Sequence, residues 1–286
     1  MWSISQLKIC TLQDLDDTDN AENIDFSFLS ALSIDYSQVK WKNAAVLVAL
    51  HVGAVIGWAL FLLGYVHWPT FLWNFLLSFV SVIGITVGAL SLWNHKIYDS
   101  KKPLKLFLLI AQTIASQDCM WMWIRDHRLH CENHKTDADP FNSKRGFFFS
   151  HMGWLMMKKH PDVITKGKQS DMSDLEADSL VMFQKRHYKA MYTLLAVLQL
   201  TIPCYLWNEM AEISFIAFIT RIVTVLHISW CIHSIHDFQG MKTTTEEKSD
   251  AEMKYVSDQR CWFDPTSLFL SIGDRIGLTF NPKDVD

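Results

Sequence analysis

The chain has 286 residues, half of them apolar, with 26 basic and 30 acidic side chains and a formal net charge of −4. This near-neutral balance gives no reason to expect a nucleic-acid partner. Six cysteines without framework spacing are expected as free thiols, which argues against a disulfide scaffold.

Residues 1–43 open the chain as an arm that is acidic and polar from Asp14 to Asp25, with no basic stretch running into an apolar one, so no cleaved signal peptide is evident. The next feature is decisive. Between Lys42 and Lys96 there are 53 residues without Asp, Glu, Lys or Arg. Crossing a hydrocarbon core of about 30 Å takes roughly twenty helical residues. The run therefore predicts two spans, 44–66 and 71–93, turning at His67, Trp68 and Pro69, rather than the buried hairpin of a soluble protein.

Residues 94–189 are polar and basic, and contain one further apolar run at 106–117. That run is too short to span and predicts an interfacial or re-entrant helix. A second hairpin occupies 190–236, with a polar turn at 208–212 and one charge, Arg221, inside the returning span. Residues 237–286 form a tail. The segment 95–189 carries 16 of the basic residues and the two hairpin turns carry none. The positive-inside rule then places both termini and the central segment on the cytosolic side. The expected fold is an all-α membrane protein, with four transmembrane helices in two hairpins and a helical cytosolic cap.

The chemistry is expected in the cap. His127, His130, Cys131 and His134 stand at i, i+3, i+4 and i+7, one stripe of a helix, and such donors suit zinc, iron or copper. The alternative is a polar helix face that is rich in histidine by chance.

The surrounding phrases, WIRDHRLHCENHKTDADPFNSKRGFFFSHMGWL and VTVLHISWCIHSIHDFQG, resemble the animal acyl-CoA desaturases of the stearoyl-CoA type, the insect members most closely, over roughly residues 40–280. The resemblance implies two hairpins in the endoplasmic reticulum membrane and a di-iron centre held by nine histidines. It also implies electrons from cytochrome b5 and an O2-dependent desaturation of acyl-CoA. Set against the family's pattern, the first box HRLWSH reads Leu90 to His95, so its first histidine is a leucine. The second, HRxHH, keeps His127 and His130 and has Cys131 in third place. Asp237 stands where an outlying histidine is expected. The third box, anchored by Glu252 and Asp264, carries Tyr255, Asp258 and Gln259 in place of its histidines. Three ligands are kept, His95, His127 and His130, while Cys131, Asp237 and Asp258 are possible substitutes.

That comparison leads to the expectation of a catalytically impaired member that retains acyl-CoA binding. An active enzyme with an altered or rebuilt metal site, and a structural or regulatory partner of active desaturases, are the other readings. By resemblance, Asn43, Asp118, Arg125, Asp126, Lys158, Lys159 and Trp230 occupy positions that contact the CoA moiety. Asp118 stands where the family has asparagine. Basic side chains suit multiply anionic phosphates, although Lys158 and Lys159 also read as ordinary lysines at a membrane surface.

Overall fold

The computed structural model describes residues 36–238 and 278–280, with backbone only for residues 36, 232, 233, 235–238 and 280. The chain divides after Gln38. The 3-10 turn Tyr36–Gln38 belongs to the first unit, and all elements below belong to the second, which begins at Val39.

Among the described residues, four helices are long and apolar enough to cross a membrane, as the charge-free runs predict. The first is α1 (Trp41–Leu62). Gly64, in the left-handed region at φ 78°, turns the chain into α2 (Trp68–Ile83), which Pro69 starts and which continues as a π-helix, Gly84–Asn94. The wider i→i+5 winding shows in the bond from the His95 amide to the Leu90 carbonyl, 2.8 Å. The third and fourth spans belong to α8 (Ser179–Trp207) and α9 (Ala211–Phe238). Asp178 caps α8, accepting from the Leu180 and Val181 amides, and Asn208 ends it in the left-handed conformation at φ 55°. The helix thus begins eleven residues before the apolar run at 190, with Lys185, Arg186 and Lys189 separating its start from that run.

Between the hairpins lie α3 (Lys102–Ile114), α4 (Met120–Glu132), α5 (Phe147–His151), α6 (Pro161–Gln169) and α7 (Ser173–Ala177). Two residues of sheet, β1 (Asp99–Ser100) and β2 (Thr279–Phe280), pair antiparallel and bring part of the tail beside the cap. The apolar run at 106–117 overlaps α3, which starts four residues earlier at Lys102, with Pro103 in its first turn, and ends at Ile114, shortly before Ser116 turns to φ 64°.

Lipid-facing and core-facing surfaces separate cleanly. Val46, Val55, Leu62, Phe75, Leu194 and Leu206 point outward, as a bilayer requires. The main core lies where the π-helix, α3, α4 and the start of α8 meet, around Val87, Leu108, Leu109, Met120, Ile124 and Val181. There is no hydrophobic drive between helices in lipid, so close packing must hold them together. Gly53 and Gly57 let α1 approach Ile216, Ile219 and Thr220 of α9, and a Cβ at Gly57 would fall 1.9 Å from Thr220 Oγ1. Gly84 does the same against α3, where a Cβ would sit 2.3 Å from the Gln112 amide nitrogen.

Two buried polar devices fix the hairpins. Glu209, 5% exposed, sits at the N-terminus of α2, where it accepts from the His67 amide and the Thr70 hydroxyl, while Trp207 donates to that hydroxyl at 2.7 Å. Arg221 donates to the Ile114 carbonyl at the C-terminus of α3, 3.1 Å away. The cation in the returning span therefore meets the negative end of a helix.

Candidate metal centre and cap surface

Three of the four stripe residues lie on α4, with His127 and His130 buried at 7% and 5% exposure and Cys131 exposed; the helix ends at Glu132, so His134 falls just beyond it rather than on the expected helix face. His95 follows the last turn of the π-helix. Its ring lies 6.1 Å from that of His127, edge to face, and the His127 and His130 rings are 6.4 Å apart. Trp123 stacks on His127 at 5.3 Å, and Cys131 Sγ is 3.6 Å from His127 Nε2. His127 is thus the shared neighbour of two imidazoles and a thiol.

Asp139 sets the orientation of His130. Its buried carboxylate accepts from His130 Nδ1 at 2.8 Å, from the Phe141 amide at 2.8 Å and from the Lys135 amide at 3.1 Å. With the proton on Nδ1 committed to Asp139, Nε2 is left as the metal-binding lone pair, an arrangement common at metal sites. His130, His134 and Asp139 also bring one ligand atom each within 4.8 Å of one another, the potential metal group found among the described residues.

Arg128 holds this region together from the side of α4. It donates to Asn94 Oδ1 (3.1 Å), the Trp93 carbonyl (3.3 Å) and both oxygens of Asp174 (3.0 and 2.8 Å). Asp174 takes Lys96 as well, at 3.0 Å. The Arg128 guanidinium, with Lys96, holds the Asp174 carboxyl well below the usual range against the opposing effect of burial. His95 is positioned in turn: Asn94 donates to its Nε2 at 3.2 Å, and Trp93 Nε1 donates to Asp178 at 3.0 Å.

A second, ionic cluster involves four of the seven candidate CoA residues. Asp126 accepts from Arg125 at 2.6 Å on one oxygen and from Lys159 at 2.6 Å on the other. Asp118, at φ 69°, has its carboxyl pushed up by burial and by the charge of Asp126. Lys158 is exposed beside Lys159 in the chain. Asn43 and Trp230 have other neighbours. Asn43 donates to the Leu155 carbonyl at 3.0 Å, and Trp230 is buried among the rings of His51, His151 and His227. One residue before Trp230, Ser229 donates to Gln117 at 2.7 Å, and Trp123 reaches the same oxygen.

Comparison with known proteins identifies the scaffold. The human stearoyl-CoA desaturase is 42% identical over 219 residues, 76% of this chain and 60% of that protein. An acyl-CoA desaturase of Cyprinus carpio is 39% identical over 221 residues, 77% of this chain and 67% of its own length. The chain belongs to the acyl-CoA desaturase family. The Delta(9)-fatty-acid desaturase fat-7 of Caenorhabditis elegans is 42% identical over 222 residues, 77% of this chain and 65% of that protein. No family model matches the chain. It spans about 60% of the length of the human desaturase.

Within this desaturase-family scaffold, the described residues bring together His95, His127, His130 and Cys131. Asp237 has only its backbone described, and Asp258 lies outside the described residues. Sequence reasoning did not single out Asp139, Arg128 or Asp174. The phrase TDADPFN contains the first of these, but nothing in the sequence joins Arg128 to a carboxylate 46 residues away.

Proposed function

We propose that this is a multi-pass protein of the endoplasmic reticulum membrane that retains acyl-CoA binding and has lost the usual di-iron desaturation. In this reading the segment 94–189 is a cytosolic cap between the hairpins 44–93 and 190–236. The arm 1–43 and the tail 237–286 lie on the same side. The observation that carries it is the donor set of the candidate centre. Cys131 Sγ, rather than an imidazole, stands 3.6 Å from His127 Nε2, and Leu90 offers no ligand atom five residues before His95.

Oxygen activation at two irons needs donors for both and positions open to O2. Three imidazoles and an oxidisable thiol suit one ion of zinc or iron type better than such a pair. Because Asp139 already fixes the His130 tautomer, His130 is prepared to bind that single ion through Nε2. For acyl-CoA, the cluster of Arg125, Asp126 and Lys159 with the exposed Lys158 supports a retained polar binding surface.

The deciding experiment is metal analysis of the purified full chain, together with stearoyl-CoA binding and a desaturation assay supplied with cytochrome b5 and O2. The expected result is at most one transition-metal ion per chain, saturable acyl-CoA binding weakened by Lys158→Ala/Lys159→Ala, and no unsaturated product. Two irons per chain with product formation would overturn it. A second reading, a rebuilt one-metal enzyme, draws on the approach of His130, His134 and Asp139 within 4.8 Å. Its mark is one ion whose affinity falls when His134 is replaced. Absence of both metal and acyl-CoA binding would instead point to a structural partner of active desaturases.

A further inference from the structure

His51, His151 and His227 lie far apart in the chain, on α1, α5 and α9, and none is a candidate metal ligand. The fold links them end to end. His51 Nδ1 reaches the Leu47 carbonyl at 2.7 Å, and His51 Nε2 meets His227 Nε2 at 3.1 Å. On its other side, His227 Nδ1 meets His151 Nε2 at 3.0 Å, and His151 Nδ1 meets the Ser234 hydroxyl at 2.9 Å. His227 gives one ring nitrogen to each neighbour, so the three rings form a chain and do not surround a point where an ion could sit. His51 is about 15 Å from the start of its span at 1.5 Å per residue, and His227 falls inside the fourth candidate span. Histidine at such depth is costly unless it is partnered, and chains of it mark proton pathways.

Counting protons fixes the neutral state. A carbonyl only accepts, so His51 Nδ1 carries its proton and His51 Nε2 is bare. His227 Nε2 must then donate, which leaves its Nδ1 bare, so His151 Nε2 donates in turn. His151 Nδ1 is left as an acceptor, and the Ser234 hydroxyl donates to it. Every bond is satisfied and all protons point toward Leu47. Ser234 has a second acceptor, the Trp230 carbonyl at 2.9 Å. We propose that these three histidines form a proton relay that binds one proton, entering at His151 beside the cap and coming to rest on His51 within the first span. As the proton binds His151 Nδ1, the Ser234 hydroxyl turns to Trp230. His151 passes its Nε2 proton to His227 Nδ1, and His227 passes its own to His51 Nε2. The two N···N contacts and the Ser234 contact survive with their direction reversed, while His51 Nδ1 keeps donating to the Leu47 carbonyl. A second proton would set two N–H groups against each other at one N···N contact, so the chain holds one.

The surroundings favour the neutral chain at rest. Burial pushes His151 below the ordinary imidazole value. The ionisable groups on the packed elements are few. Lys42 lies in the first turn of α1, and α2 has none. Lys144 and Arg145 precede α5, with Arg145 over the Phe149 ring at 3.7 Å. The charges of α8 lie between Lys185 and Lys189, and its other groups are phenols and one thiol. On α9, Arg221 and Cys231 accompany Glu212, which is about 22 Å away along the helix. His233, His236 and Asp237 on α9 have no described side chains. Trp230 touches all three imidazole rings, at centroid distances of 5.2 to 6.5 Å.

The test is nitrogen NMR of the full chain, 15N-labelled in its imidazoles and held in lipid nanodiscs, titrated between about pH 8 and 5, the range of imidazole. Three results are expected: couplings across both N–H···N contacts, a single shared midpoint for the three rings, and uptake of one proton among them. In His227→Phe the shared step splits, and His51 and His151 titrate apart. Three independent midpoints with three protons taken up by the parent chain would overturn the relay, and so would unchanged His51 and His151 midpoints in the variant. If the variant does not fold, the parent measurement decides alone.

Discussion

Replacing Asp139 by asparagine tests how the candidate centre is held. The carboxylate accepts three bonds, two at Oδ1 and one at Oδ2, and is fully enclosed. In Asp139→Asn the amide oxygen can keep His130 and Phe141, but the amide nitrogen then faces the Lys135 N–H, donor against donor. One buried N–H loses its acceptor, which costs about 1–3 kcal/mol. The two remaining bonds lose their charge assistance, about half their strength, or roughly 0.5–1 kcal/mol each. The sum is about 2–5 kcal/mol, which for a chain of this size lowers the melting temperature by roughly 4–20 °C at 2–4 °C per kcal/mol. Thermal unfolding in a fixed detergent measures it. The His130 tautomer is also released, so affinity for added zinc should fall about 10- to 100-fold, read by competition with a metal-sensitive dye. A melting temperature within about 2 °C of the parent, with unchanged zinc affinity, would refute the assignment of Asp139 as the residue that orients His130.

The remaining predictions concern packing, charge and metal. Gly57→Ala should destabilise by about 1–3 kcal/mol through overpacking. Adding Thr220→Ala should restore most of it, since Thr220 Oγ1 is the atom a new Cβ meets at 1.9 Å; a double-mutant cycle showing simple additivity would contradict the contact. Because the Asp118 carboxyl is raised by burial and by Asp126, acidification neutralises it earlier than an ordinary aspartate. Stearoyl-CoA binding should therefore tighten as pH falls through that range, and in Asp118→Asn it should be tighter at pH 7 and less dependent on pH. Asp174, held low chiefly by Arg128, stabilises the fold above the ordinary carboxylate range and loses that contribution as pH falls through its depressed value. Asp174→Asn should cost about 1–2 kcal/mol at pH 7, with the gap to the parent closing in strong acid, as followed by thermal unfolding. Stripping metal with a chelator should lower the melting temperature less than Asp139→Asn does, because the cap is held chiefly by bonds that involve no ion.

The spans were legible because lipid imposes a simple rule: a run of 53 residues without a charge leaves few alternatives. Part of the α4 stripe was legible for a similar reason, since i, i+3 and i+4 lie together on a helix, but the helix stops at Glu132 and leaves His134 beyond it. The first turns of α8 were not, because Lys185, Arg186 and Lys189 separate them from the apolar run and only the Asp178 cap marks where the helix starts. Contacts at long separation were also hidden. His51 and His227 are each a lone histidine in an apolar run, and the pairing over 176 residues exists only once α1 and α9 close on Gly53 and Gly57.

The same distinction accounts for a scaffold that stands while its ligand set changes. The residues fixing α4 against the π-helix are Arg128, Asp174 and Asp178, and none of them is a candidate ligand. Asp139 likewise ties His130 to the backbone at Lys135 and Phe141, and both backbone bonds persist whatever ion His130 holds. The walls of the site are therefore stabilised by hydrogen bonds and ion pairs among the protein's own groups, over a core built on Leu108, Met120, Ile124 and Val181. Exchange of a ligand such as Cys131, on the exposed side of α4, changes what the site can bind without removing any contact in that framework. A binding surface at Asp126 and Lys159 can on this basis outlast the chemistry of the neighbouring centre, because the two share the helix α4 while the Asp126–Lys159 pair and the Asp139–His130 pair involve different residues.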